Sequence, residues 1–196
     1  MAIKTFTAGS VLTASDTNTY LANSGLQVVT PTSVTGGTLS GAKTTIGTTQ
    51  STVTLNGVFS STYDNYLVQV YGYSVSADGS VLWMTINGST GTTYQSVGYY
   101  MAYGSTTLNG VGAAATASGF RLAENSSTGY GTVQINLYRP GLAAATTFSS
   151  VSQNAGFANQ YQGKDTNAAA STNFTLSLSS GTISSGTIMV YGYRLG

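Results

Sequence analysis

Histidine and cysteine are absent from the 196 residues, and only 6% of positions carry a charge. Without cysteine there is neither a disulfide nor a thiolate metal site. Without histidine, the commonest general base and transition-metal ligand are missing as well. No calcium-loop spacing occurs among the acids, so neither a metal nor another cofactor is expected. Most enzyme mechanisms lose a member on this inventory. Proline is nearly absent too, with two residues, which leaves long stretches free to donate to a β-ladder.

The few charges are scattered. Lys4, Lys43, Arg121, Arg139, Lys164 and Arg194 stand singly along the chain, whereas a nucleic-acid binder concentrates its basic residues on one face. No apolar run approaches the length that a bilayer requires, and the opening MAIKTFTAGSVLTAS fits neither a signal peptide nor a membrane span. Neither nucleic acid nor membrane is therefore an expected partner. What the chain has in place of charge is Ser, Thr, Asn and Gly, with 25 glycines and 14 tyrosines. Surfaces of that kind suit packing against copies of the same chain, so a homo-oligomer is expected.

The length allows one substantial core plus an arm. Residues 1–25 read as the arm. In it Thr13-Ala14-Ser15-Asp16 has the spacing of a helix cap, predicting a short helix from Ala14 to Asn23 that Gly25 stops. Phe6, Val11, Leu12, Tyr20 and Leu21 are its apolar residues and the candidate anchors. Residues 26–50, with Pro31 and Gly36-Gly37, read as a linker or edge strand. The body, 51–196, opens on STVTLNGVFSSTYDNYLVQVYGYS, which reads as a β-hairpin turning at Ser60 to Asn65. A second hairpin is expected through Asp78-Gly79 into Val81–Asn87, with Leu82, Met84 and Ile86 on one face and Trp83 on the other.

Further along, Tyr94 to Tyr103 reads as an aromatic strand and Gly104 to Gly119 as loop. Thr132 to Tyr138 alternates cleanly, Val133, Ile135 and Leu137 against Gln134, Asn136 and Tyr138. Roughly eight strands with almost no helix predict an all-β chain, an antiparallel β-sandwich of jelly-roll type with a short N-terminal arm. The tetrad Val70-Tyr71-Gly72-Tyr73 returns at Val190-Tyr191-Gly192-Tyr193. These two strands are expected to be neighbours, with each tyrosine pair sharing a face and rings lying across the glycines.

FTAGSVLTASDTNTYL at Phe6 to Leu21 resembles the leader of many tailed-bacteriophage virion proteins. FSSTYDNYLVQV at Phe59 to Val70 and GTIMVYGYRLG at Gly186 to Gly196 resemble a family of peripheral phage structural proteins. The resemblance implies a virion component, an oligomeric β-sandwich, most simply a homotrimer, held by its arm to other virion proteins of a tail or capsid. The first reading is a non-enzymatic tail fibre or host-receptor-binding module, and the alternative a capsid decoration protein cementing the shell. A glycan depolymerase and a free lectin are the remaining readings.

Two sets of side chains bear on the choice. Asp16, Asp64, Asp78, Glu124 and Asp165 would have to supply the facing carboxylate pair of a glycosidase, yet each sits in a turn or cap context that accounts for it. Tyr94, Tyr99, Tyr100, Tyr103, Tyr130, Tyr138 and Tyr161 suit either stacking on a host surface glycan or cross-strand and subunit packing. The second is the more ordinary use of such rings.

Overall fold

The computed structural model describes residues 8, 9, 11, 13, 14, 25–87, 92–117 and 119–193. Of the arm, the helix expected from Ala14 to Asn23 lies outside the described residues except for Ala14. The anchors Phe6, Leu12, Tyr20 and Leu21 lie outside them as well; Val11 is described and is 82% exposed.

The described residues form fifteen strands: β1 Leu26–Val29, β2 Ser33–Thr35, β3 Gly37–Ser40, β4 Lys43–Ile46, β5 Thr52–Asn56, β6 Asn65–Val75, β7 Val81–Ile86, β8 Tyr94–Ala102, β9 Asn109–Ala117, β10 Phe120–Glu124, β11 Gly131–Tyr138, β12 Thr146–Gln153, β13 Phe157–Asp165, β14 Phe174–Leu178 and β15 Ile183–Tyr193. Every pairing is antiparallel. Ten strands make a large sheet in the order β3-β4-β15-β6-β11-β12-β13-β8-β9, with β1 also on β15. Five make a small one, β10-β7-β14-β5-β2. The architecture is an antiparallel β-sandwich. Its division into ten and five strands is wider and less even than the eight strands of a jelly roll.

The core lies between the sheets. Val53, Leu55, Leu82, Met84, Ile86, Phe174 and Leu176 meet Tyr66, Val68, Val70, Val133, Ile135 and Leu137, all buried. Alternation drives this, because burying one face of each strand removes every second side chain from water while the other stays out.

Both expected hairpins are crossovers instead. β5 lies in the small sheet and β6 in the large one, and the same holds for β7 and β6. Turn residues of the same kind serve either connection, and the eight-residue link after Asn56 is long enough to change sheets. Val58 and Phe59 in that link are buried, so it closes the end of the core. Tyr66 fixes it, accepting a hydrogen bond from Ser60 N at 2.8 Å and donating to Ser60 O at 2.9 Å.

Of the two readings of residues 26–50, the edge strand holds and the linker does not: they form β1 to β4, with β3 at one end of the large sheet and β2 at one end of the small one, and Ile46 is buried in the core. One further expectation changes. Gly104 to Gly119 is not loop throughout, since Asn109–Ala117 is β9, paired along β8. Its Asn, Gly and Ala residues have weak strand propensity, and the partner strand supplies the order.

The two Tyr-Gly-Tyr strands are neighbours, as expected. β15 pairs along β6, with Gly192 opposite Tyr66 and Tyr193 opposite Asn65. The two glycines act differently, however. Gly72 has φ 63° and sits where the pairing with β11 shifts register, so it is a bulge. The extra residue puts Tyr71 and Tyr73 on opposite faces, Tyr71 exposed and Tyr73 buried. Gly192 does lie under a ring: a Cβ there would stand 2.4 Å from Cγ of Tyr63. Gly192→Val is therefore expected to cost about 1–3 kcal/mol despite valine's better strand propensity. A melting temperature equal to wild type would refute the ring packing.

The sheets are joined by polar groups as well as by apolar contact. Ser152 Oγ donates to Leu122 O at 3.0 Å, Asn154 Nδ2 to Glu124 O at 2.7 Å, and Asn159 Oδ1 accepts from Glu124 N at 3.0 Å. Side chains of the large sheet thus satisfy the backbone of β10, the edge of the small one, so that burial there leaves those groups paired.

Burial also raises the phenol pKa of Tyr66, Tyr73 and Tyr161 above the ordinary 10.0. A raised folded value means that the folded chain holds these protons more tightly than the unfolded one. Their contribution to stability is complete below about pH 10 and is lost as pH rises through the folded values. In an alkaline titration followed by tyrosinate absorbance, Tyr66, Tyr73 and Tyr161 should ionise above the ordinary phenol range. Ionisation of all of them near pH 10 with native circular dichroism would contradict this.

Candidate binding face

The tyrosines singled out by sequence separate into two groups once β8 is oriented. Its even positions face the small sheet and its odd positions face outward. Tyr94 is consequently core: its ring meets Phe120 edge-on at 5.0 Å, and its hydroxyl accepts from Ile86 N at 2.9 Å, across the sandwich. Tyr161 is core as well, 1% exposed. Tyr100 is half-buried, edge-on to Phe157 at 5.5 Å. Tyr94 and Tyr161 thus take the packing use of such rings and are corrections to the glycan-contact set, since buried rings cannot stack on a ligand; Tyr100 lies on the inner side of its sheet, away from the outer face. Tyr99, Tyr103, Tyr130 and Tyr138 are exposed.

Tyr99 and Tyr138 share the outer face of the large sheet. The strand register makes that face a grid over β8, β13, β12, β11 and β6. One row runs Tyr99, Gln160, Val151, Gln134, Gln69; the next runs Met101, Ala158, Gln153, Thr132, Tyr71. On the other side the rows are Val97, Gln162, Ser149, Asn136, Leu67 and then Gln95, Lys164, Thr147, Tyr138, Asn65. These twenty outward positions hold six of the chain's eight glutamines, three tyrosines and a single charge, Lys164.

The first two rows line a trough of about 670 Å³, and the region around Val97, Tyr138 and Gln162 encloses a second hollow of about 640 Å³. Tyr99 donates its hydroxyl to Oε1 of Gln160 at 2.6 Å, which ties the ring to the amide. Val151 is 60% exposed between Gln160 and Gln134. The trough therefore offers flat rings at β8 and β6, a partly apolar floor, and a row of amides between them. Tyr103 and Tyr130 sit beyond its end, around a smaller hollow of about 260 Å³.

Sequence reasoning found Tyr99 and Tyr138 here but not Gln69, Gln160, Val151 or Met101. The available signal was the concentration of glutamine at alternate strand positions. It becomes a site only when four strand pairings line the residues up.

Three of the five acids are engaged through their carboxylates. Asp78 Oδ1 accepts from Ser127 N at 2.6 Å and from Ser127 Oγ at 3.1 Å, and these bonds lower its pKa. Asp165 Oδ1 accepts from Asn167 N at 3.0 Å. Glu124 is ion-paired with Arg121, whose guanidinium lies 5.8 Å from the Trp83 ring centre and 5.5 Å from that of Tyr161. Asp64 closes the crossover turn, its carbonyl accepting from Arg139 N at 2.6 Å. Asp16 lies outside the described residues. Among the described residues no group of three or more His, Cys, Asp or Glu is placed to hold a metal ion.

The fold and this face define a β-sandwich that presents an amide- and tyrosine-rich sheet with a single charge, Lys164. No family model matches the chain, and no curated protein matches its sequence. Among solved structures it is similar to a protein of unknown function from Shewanella oneidensis MR-1, with 10% identity over 96% of this chain and 97% of that one, at a TM-score of 0.25. The receptor binding domain of botulinum neurotoxin D aligns at 11% identity over 87% of this chain and 45% of that one, TM-score 0.33. Peanut lectin aligns at 10% identity over 87% and 93%, TM-score 0.27. Superpositions this loose carry no functional information.

Proposed function

We propose that the protein is a non-enzymatic structural component of a tailed-phage virion. In this reading it is a tail-associated module that binds the host receptor through the outer face of its large sheet and is attached through its N-terminal arm. The attachment rests on the resemblance of Phe6 to Leu21 to phage leaders. The observation that carries the binding role is the grid itself, in which six glutamines and three tyrosines converge on one open face with a single charge. A sheet face that served only for solvation would ordinarily carry Lys, Glu and Arg.

Antibody against the sandwich is expected to label the tail of intact particles, and the purified protein to compete with adsorption of particles to cells. Label spread over the shell, at a copy number approaching that of the shell protein, would replace this reading with that of a capsid decoration protein. The module is proposed to act as a homotrimer, the state that the phage resemblance implies. Light scattering that gave a monomer at micromolar concentration would refute it.

A further inference from the structure

The face just described has a direction as well as a composition, and the direction suggests what lies on it. Gln160, Gln134 and Gln69 stand in one row on β13, β11 and β6, with Val151 between the first two. Tyr99 on β8 begins that row, and Tyr71 on β6 ends the adjacent one. With strands about 4.8 Å apart, four strand spacings separate the two tyrosine positions by roughly 19 Å across the sheet. We infer that the trough takes an uncharged oligosaccharide laid across the strands, with Tyr99 and Tyr71 stacking on sugar faces and the glutamine amides hydrogen-bonding hydroxyls.

Three features select this occupant. An amide offers both a donor and an acceptor, as a sugar hydroxyl does, and the three amides of the row stand two strand spacings and then one apart, roughly 9.6 and 4.8 Å, so that they can meet successive hydroxyls of a chain lying across the strands. Tyrosine rings present an apolar face and a polar tip, which suits the C–H face and hydroxyl rim of a pyranose. The charge balance is the third. An acidic polysaccharide, a nucleic acid or a charged protein surface would meet one cation, Lys164, at the border of the grid and nothing in the trough to pair with. The Tyr99–Gln160 hydrogen bond holds ring and amide in place before binding, which lowers the ordering cost.

This inference rests on the outer face being the receptor-binding surface, and the experiment separates the two. The full chain is titrated by calorimetry with uncharged oligosaccharides of glucose, mannose, galactose and N-acetylglucosamine, and its binding to host cells is measured with and without periodate oxidation of surface carbohydrate. The expected result is saturable binding to at least one oligosaccharide, insensitive to about a tenfold rise in ionic strength, and periodate-sensitive cell binding. Tyr99→Ala and Gln134→Ala should each weaken it about tenfold or more while leaving the melting temperature unchanged. Cell binding that survives periodate but is lost in the same variants would overturn the glycan while sparing the face. Binding to a charged polysaccharide that salt abolishes, or self-association that these variants break, would overturn it too. Failure to bind cells at all, with no label on particles, would remove the functional reading and this inference together.

Discussion

Phe120→Ala is expected to lower the free energy of unfolding by about 3–5 kcal/mol, the range for emptying a large aromatic site in a core. Phe120 is fully buried at the start of β10. Its ring packs edge-on to Tyr94 at 5.0 Å and tilted on Phe148 at 4.5 Å, so one side chain of the small sheet joins two strands of the large one. Neither neighbour can follow an alanine inward, because both are held in the ladder of the large sheet. For a chain of this size the loss corresponds to a fall in melting temperature of roughly 10 °C. Tyr130→Ala, at a residue 72% exposed, should change stability by no more than about 0.5 kcal/mol. If denaturant unfolding showed Phe120→Ala costing under about 1 kcal/mol, the sheets would have to be loosely packed at this end.

Gly163→Ala should also destabilise, by about 2–3 kcal/mol, and here the sign is informative. In an ordinary strand alanine is better than glycine by roughly 0.5–1 kcal/mol. At Gly163 the new Cβ would stand 1.9 Å from the backbone oxygen of Gln95 and 2.8 Å from Cε1 of Phe148. The first contact is main chain of the adjacent strand, so no side chain can swing away, and the β13–β8 ladder must shift. Gly112→Ala on β9 meets open space and should be neutral or stabilising by up to about 0.5–1 kcal/mol. Equal behaviour of the two variants in thermal melts would rule out the close approach at Gly163. A shift at β8 and β13 also moves Tyr99 relative to Gln160, so Gly163→Ala should weaken ligand binding from the opposite face of the sheet.

The sequence was most legible where one strand carries its apolar and polar residues on separate faces. β11 is the clearest case, with Val133, Ile135 and Leu137 all buried and Gln134 and Tyr138 exposed. β8 was ambiguous because YQSVGYYMA places a tyrosine in either register, Tyr94 and Tyr100 in one and Tyr99 in the other. Alternation indicates that two faces exist without saying which is inward. The Tyr-Gly-Tyr repeat correctly pointed to neighbouring strands, but not to the bulge at Gly72 that sends Tyr71 and Tyr73 to opposite sides.

Alone, the sequence determined that this is an antiparallel all-β chain, because those properties follow from local pattern: period-two alternation, few helix formers in the body and turn residues at short intervals. Its lack of histidine and cysteine likewise limits the chemistry available wherever the chain folds. Which strand pairs with which was decided by the tertiary structure, since a turn such as Asp78-Gly79 joins two strands equally well within a sheet or between sheets. The binding face depends entirely on that pairing. Gln69, Gln134 and Gln160 lie far apart along the chain, and only the register of β6, β11, β12 and β13 brings them into one row, because a sheet aligns side chains by its hydrogen-bond ladder and not by their distance in sequence.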